Sequence, residues 1–160
     1  MGLDMYINRV NRTNHSVEEL INFYYNEEDD PVHPNNEACQ PFFPLFKYDF
    51  GDYYSIFHEA CYWRKFNALH NWFVNNLQDG VDDCGHYELT KEKVNECLDV
   101  LREVKETKNS KLLEPKSGFF FGSTSVDDYY WQDVDDAIKQ LENLLNLDWN
   151  IYRFFYHSSW

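Results

Sequence analysis

The segment over residues 62–77 constrains the fold most, because its apolar residues recur at spacings of three and four. Wound as a helix, it aligns one apolar stripe made of Tyr62, Phe66, Leu69, Phe73 and Leu77. Such a stripe is sufficient to face a protein core. We therefore predict a main helix over residues 56–77 that ends near Asp79 and Gly80.

The other faces of this predicted helix carry flat and hydrogen-bonding side chains, whereas a solvated face usually carries Glu and Lys. They are Trp63, Arg64, Asn67, His70 and Asn71. Side chains of these types suit the recognition of a planar, anionic or amide-rich ligand. The alternative is structural: Arg64 and Asn67 tie down neighbouring loops while Trp63 fills a core. No catalytic signature accompanies this face, so we predict a binding site and no catalytic residues.

Acidic residues outnumber basic ones by 28 to 14, which gives the chain a formal net charge of −14. This charge repels nucleic-acid phosphates and anionic membranes, so we expect neither direct nucleic-acid binding nor membrane association. An acidic protein can also imitate DNA and occupy a nucleic-acid-binding protein, which stays an alternative. An anionic small molecule needs a local positive cluster, and Arg64 with Lys65 forms the clearest one.

Aromatic residues make up 19% of the 160 residues, which predicts a pocket or a subunit contact lined by rings. We expect one domain over residues 1–160 and a homo-oligomer. The four cysteines have no CxxC spacing, and neither a secretory signal nor a long apolar run is recognisable. These features predict a cytoplasmic protein with reduced thiols.

Strands and helices are interspersed along the chain, which predicts an α+β fold. We expect a small, mostly antiparallel sheet covered by three to four helices. The expected strands are 2–10, 86–89, 118–122 and 150–156, and the expected helices are 16–25, 56–77, 90–107 and one from 126 onwards. Residues 26–55 combine prolines with many rings, which predicts a long ordered loop packed over the body.

The run Gly122-Ser123-Thr124 follows the expected strand 118–122 and resembles a small cradle for an anion. The alternative is that Ser123, Thr124 or Ser125 caps the last helix. Both can hold together, because the amino terminus of a helix also attracts anions.

Two further clusters do not predict chemistry. The turn with Asp79, Asp82, Asp83, Cys84 and His86 matches no spacing typical of a zinc or calcium site, so we predict no metal and no cofactor. Cys61 and His70 lie nine residues apart, too far for contact along one helix. Cys61 is therefore interpreted as a small core residue.

Five segments together resemble a family of small phage and prophage proteins, and the resemblance spans nearly the whole chain. The segments are MGLDMY (1–6), YWRKFNALHNWF (62–73), CGHYE (84–88), SGFFFGST (117–124) and SSW (158–160). The resemblance implies a phage setting and little chemistry. Small acidic phage proteins without catalytic motifs are often counter-defence factors, and some sequester nucleotide-derived immune signals in aromatic pockets that contain arginine.

By this analogy we expect a protein that binds a nucleotide-like signal in an infected bacterial cell and does not cleave it. The expected ligand-binding residues are Trp63, Arg64, Asn67, His70, Asn71, Ser123 and Thr124. Two alternatives stay open: an acidic protein-binding inhibitor or DNA mimic, and a small hydrolase with His70 or His58 as its base.

Overall fold

The computed structural model describes residues 2–16, 18–20, 47–48, 54–55 and 57–160. Its strands are β1 (Asp4–Asn11), β2 (Lys47–Tyr48), β3 (Tyr54–Ser55), β4 (His58–Arg64), β5 (His86–Leu89) and β6 (Tyr152–Ser159). The α-helices that lie wholly within these residues are α1 (Asn67–Leu77), α2 (Lys91–Thr107) and α3 (Asp128–Leu145), and Ser110–Leu112 forms a 3₁₀ turn. The predicted α+β class is confirmed. The predicted aromatic loop lies outside the described residues, apart from the short pair β2–β3.

The main sheet has four antiparallel strands in the order β4–β1–β6–β5. Along β1, Met5 and Ile7 are fully buried while Asp4 and Tyr6 are half-buried, as the two-residue period of a strand requires. Met5 and Ile7 face the three helices, and residues of all these elements form one hydrophobic core cluster. The first and last strands of the main sheet that the sequence predicts are therefore present, with the last one shifted towards the carboxyl end.

Three helical segments begin at residues whose side chains accept hydrogen bonds from backbone N–H groups of the first turn. Ser16 and Glu19 bond each other's backbone N–H at 2.7 and 3.1 Å, which confirms the capping pattern ahead of residues 18–20. Thr90 accepts a hydrogen bond from the N–H of Lys93 at 3.1 Å and caps α2, as predicted. The predicted cap of the last helix is wrong: Asp127, and none of Ser123, Thr124 or Ser125, accepts from the N–H groups at the start of α3.

The predicted helix over residues 56–77 is wrong in its first half. Residues 58–64 form β4, which pairs with β1 in a register that places Trp63 opposite Met5. In this strand Cys61 and Trp63 are buried between partly or fully exposed neighbours, which is the period of two and not of 3.6. Tyr62 therefore leaves the predicted stripe, whereas Phe66, Leu69 and Phe73 of that stripe are buried.

The predicted strand over residues 118–122 is also wrong. The segment is a turn in which the N–H of Phe121 donates to the carbonyl of Gly118 at 3.2 Å. A Cβ atom on Gly118 would lie 2.6 Å from the Phe121 ring, so only glycine lets that ring fold back onto the chain. Phe121 is buried, while Phe119 is 94% exposed.

The outer edge of β4 is closed by the side chain of a helix residue. The N–H of Tyr62 donates to Oε1 of Gln140 on α3 at 3.0 Å. Nε2 of Gln140 in turn donates to the carbonyl of Tyr62 at 3.0 Å. Beside it, Cys61 is buried in the core as expected, and burial raises the pKa of its thiol to about 12.

None of the helices in the described ranges has both the length and the apolar composition needed to cross a bilayer.

Candidate functional site

A cleft of about 200 Å³ opens where β4 passes into α1, and we call it the Arg64 cleft. One wall is the strand–helix junction over residues 64–67, and a second is the loop residues Gly122, Ser123 and Ser125. The third wall is the beginning of α3, from Asp127 to Asp133. The cleft therefore joins parts of the chain that are about sixty residues apart in sequence.

The junction turns at Lys65, whose backbone is left-handed with φ of 60°. Its N–H donates to the carbonyl of Leu3 at 2.8 Å, which ties the turn to the start of β1. Cβ atoms on Gly2 and Gly122 would lie 3.0 and 3.1 Å from the Lys65 side chain, so two glycines make room for it. A left-handed residue with a side chain costs about 1–2 kcal/mol, and such strain concentrates at functional sites.

Arg64 presents most of its donors to solvent at the cleft. Its side chain is 56% exposed, and Nη1 lies 3.8 Å from Oδ1 of Asp4. That carboxylate also accepts a hydrogen bond from the hydroxyl of Tyr62 at 2.6 Å, so Asp4 is shared between two partners. In the described part of the chain, the ammonium group of Lys65 makes no hydrogen bond or ion pair. The two cations therefore retain free donors beside the cleft.

Asn67 holds the loop wall of the cleft in place. Its Nδ2 donates to the carbonyls of Phe121 at 3.0 Å and Ser123 at 2.8 Å. Its Oδ1 accepts from the N–H of Lys116 at 3.1 Å. The side chain is buried, and both of its donors are used within the protein. Asn67 thus lines the cleft, and its contacts are those of the structural alternative.

The third wall carries rings and carboxylates. Tyr129 is 76% exposed, whereas Tyr130 is buried and its hydroxyl donates to the carbonyl of Leu113 at 2.8 Å. Burial raises the pKa of Asp133 to about 6, with a smaller contribution from the carboxylates of Asp136 and Asp127. The lining of the cleft therefore combines two cations with a carboxyl group that is costly to ionise.

Of the residues that the sequence predicts for the site, the structure brings together Arg64, Asn67 and Ser123. Trp63 is buried in the core, and Thr124 is exposed outside the lining of the cleft. Asn71 lines a different cavity, where its Oδ1 accepts from Nδ2 of Asn75 at 3.1 Å. Trp63 is separated from Arg64 because residues 58–64 form a strand, in which neighbouring side chains point to opposite faces.

His70 is fully buried away from the cleft. Its Nδ1 lies 2.7 Å from the hydroxyl of Tyr156, and its Nε2 lies 3.0 Å from Oδ2 of Asp82. Burial lowers the pKa of His70 and outweighs the opposing effect of Asp82, so the ring is neutral. Because a carboxylate only accepts, Nε2–H donates to Asp82 and Nδ1 accepts from Tyr156.

The acidic turn after α1 is occupied by internal hydrogen bonds. Asp82 also accepts from Nε1 of Trp160 at 3.1 Å, and Asp83 accepts from the N–H of Gly85 at 2.8 Å. His86 stacks on His157 with ring centroids 4.1 Å apart. Within the described ranges, no three His, Cys, Asp or Glu side chains are placed to hold a metal ion together.

Asp133 and Tyr129 line the cleft, although the sequence does not predict either of them as a site residue. Both lie in the first two turns of α3, and their approach to Arg64 depends on how that helix packs. The described lining of the cleft contains no histidine or cysteine.

Comparison of the chain with models of protein families, with curated proteins and with solved structures finds no match.

Proposed function

We propose that this protein binds a nucleotide-derived small molecule in the Arg64 cleft and holds it without cleaving it. One observation carries the proposal: the free donors of Arg64 and Lys65 line the same cleft as the exposed ring of Tyr129. Guanidinium groups pair with phosphate through two parallel hydrogen bonds, and exposed rings stack on bases. In a chain of net charge −14, a local pair of cations is where an anionic ligand is attracted.

The size of the cleft limits how the ligand is held. Its volume of about 200 Å³ is below the ~300–1,000 Å³ typical of sites that enclose a whole ligand. The cleft therefore does not enclose a whole nucleotide, and part of the ligand stays exposed at the surface. The hydroxyl groups of Ser123 and Ser125 add donors on the loop wall.

The biological setting rests on the resemblance to phage and prophage proteins. It supports a counter-defence role in the cytoplasm of an infected bacterium, where sequestering a nucleotide immune signal would stop the response. We also propose that the protein is a homo-oligomer. It does not bind nucleic acid in this proposal, because its net charge of −14 repels the phosphate backbone.

A second candidate is the acidic protein-binding inhibitor. The observation in its favour is Phe119, which is 94% exposed on a turn that Phe121 anchors in the core. Rigid exposed rings often become the central contacts of protein interfaces. The hydrolase alternative receives no support from His70, because that ring is fully buried and hydrogen-bonded on both nitrogens.

Incubation with a panel of mono-, di- and cyclic nucleotides tests the proposal. Ligand recovered unchanged after heat denaturation indicates sequestration, and altered ligand indicates hydrolysis. If no nucleotide binds, the proposal is wrong. If the wild type then binds a purified host protein and Phe119→Ala does not, the inhibitor function is favoured.

Arg64→Ala locates the site. Loss of its charge-assisted contact should weaken binding by about 1.5–3 kcal/mol, or roughly ten- to a hundred-fold. Arg64→Lys should restore little, because an ammonium group cannot form the planar two-bond contact. Since the side chain is 56% exposed, both variants should melt close to the wild type.

The matched control is Arg102→Ala on α2, an arginine that is 52% exposed and pairs with Glu142 outside the cleft. It removes the same charge and should leave binding unchanged. Equal effects of Arg64→Ala and Arg102→Ala would show that only the overall charge matters and would remove the site assignment.

A further inference from the structure

Asp133 is the feature of the Arg64 cleft that simple anion binding leaves unexplained. It lines the cleft with Phe66 and Tyr130, half-buried, and makes no hydrogen bond or ion pair within the described residues. The other carboxylate in the cleft lining, Asp127, caps α3 by accepting from the N–H groups of Tyr129 and Tyr130. Asp133 has no such structural task.

A desolvated carboxylate without a donor is unfavourable, and the raised pKa of Asp133, about 6, reflects this cost. In the same lining as Arg64 and Lys65, its carboxylate also repels an anion that fills the whole cleft. Both costs are offset if the ligand has two ends, an anionic one at the cations and a hydrogen-bond donor at Asp133.

We propose that the ligand carries a guanine base whose donor edge pairs with the Asp133 carboxylate while its phosphate meets Arg64 and Lys65. This inference rests on the function proposed above and names the ligand class of the same site. A carboxylate offers two acceptors and no donor. The Watson–Crick edge of guanine offers two adjacent donors, the N1–H and the 2-amino group, so the two groups fit as a bidentate pair.

The other bases fit the carboxylate less well. Adenine and cytosine each place a ring-nitrogen acceptor beside their amino donor, and uracil flanks its single donor with two carbonyl acceptors. Each of these acceptors would face a carboxylate oxygen, and the repulsion would offset the remaining hydrogen bond. The ring of Tyr129 stacks on any base, so the choice among bases falls to Asp133.

Calorimetric titration with guanosine, inosine and adenosine monophosphates tests this inference at a pH above the pKa of Asp133, about 6. The guanosine compound should bind roughly ten- to a hundred-fold more tightly than the adenosine compound, as expected for hydrogen bonds to a charged group. Inosine monophosphate lacks the 2-amino group and should fall between them.

Asp133→Asn should abolish this preference, because an amide offers one acceptor and one donor, a pattern that matches adenine. The control is Asp136→Asn on the same helix, which removes the same charge from a carboxylate that accepts from Gln140. It should keep the guanine preference. The melting temperature of Asp133→Asn should equal or exceed that of the wild type, and this measurement checks that the variant is folded.

The outcomes separate this inference from the proposed function. Equal binding of the three compounds, weakened alike by Arg64→Ala, would overturn guanine recognition and leave the proposed function standing. An unchanged preference in Asp133→Asn would also overturn it. Absence of binding by every compound would overturn both.

Discussion

Asn67→Ala should cost much of the stability of this protein, although the sequence predicts Asn67 as a ligand-binding residue. The substitution removes three hydrogen bonds, to Phe121, Ser123 and Lys116, with lengths of 2.8–3.1 Å. At about 1 kcal/mol for each bond, the loss is ~3 kcal/mol. Because the carbonyl of Ser123 and the N–H of Lys116 are only partly buried, water can replace part of this loss. We expect a decrease of about 2–3 kcal/mol in the free energy of unfolding.

Denaturant unfolding followed by tryptophan fluorescence measures this change, with Asn71→Ala as the matched control. Asn71 lies one turn further along α1, is half-buried and accepts a single hydrogen bond from Asn75. Its removal should change the unfolding free energy by less than ~1 kcal/mol. Hydrogen exchange adds a local measurement, since the amide of Lys116 should exchange faster in Asn67→Ala alone.

Equal stability of the two variants would refute this reasoning, because the three bonds would then contribute nothing net. A stable Asn67→Ala protein with weakened ligand binding would restore Asn67 as a direct ligand contact. Our expectation is that binding falls together with stability, whereas Arg64→Ala lowers binding alone.

Two further predictions concern the strained backbone and the buried histidines. Lys65→Gly should raise the melting temperature by about 2–4 °C, because glycine relieves ~1 kcal/mol of strain in the left-handed backbone at this position. The same substitution removes an ammonium group and should weaken nucleotide binding. A lower melting temperature would show that the backbone at residue 65 is not strained. Burial lowers the pKa values of His70 and His157, and that of His86 to about 3. The unfolded chain therefore takes up protons first, so stability is full above pH 6.5 and falls between pH 6.5 and about 3. Asp133, with its raised pKa, acts in the opposite direction, and a flat unfolding profile over this range would contradict the dominance of the histidines.

The features predicted correctly from the sequence are those that depend on residues close together in the chain, such as helix caps and the spacing of buried residues. Thr90 caps α2, and Val94, Leu98 and Leu101 are buried at helical spacing because cap and periodicity act within a few residues. The stretch before Phe66 fits two periods, since Tyr62 continues the helical stripe while Cys61 and Trp63 alternate as in a strand. Pairing with β1 decides between them, and that partner lies more than fifty residues away.

The site was predictable only in part for the same reason. Arg64 and Ser123 are recognisable as ligand-binding types, and the structure does place them at one cleft. That Asn67 bonds to the loop, and that Asp133 faces the cleft without a partner, depends on packing between distant segments. Local patterns in the chain contain no information on either contact.

The amide of Gln140 also has a consequence for how copies of this protein can associate. It occupies the backbone donor and acceptor of Tyr62, the groups that an incoming strand from another molecule would need at this edge. Continuous sheets between molecules are therefore blocked at the middle of β4. A homo-oligomer that uses this edge must therefore form through side-chain contacts, and Gln140→Ala would expose the backbone groups of Tyr62 to an incoming strand.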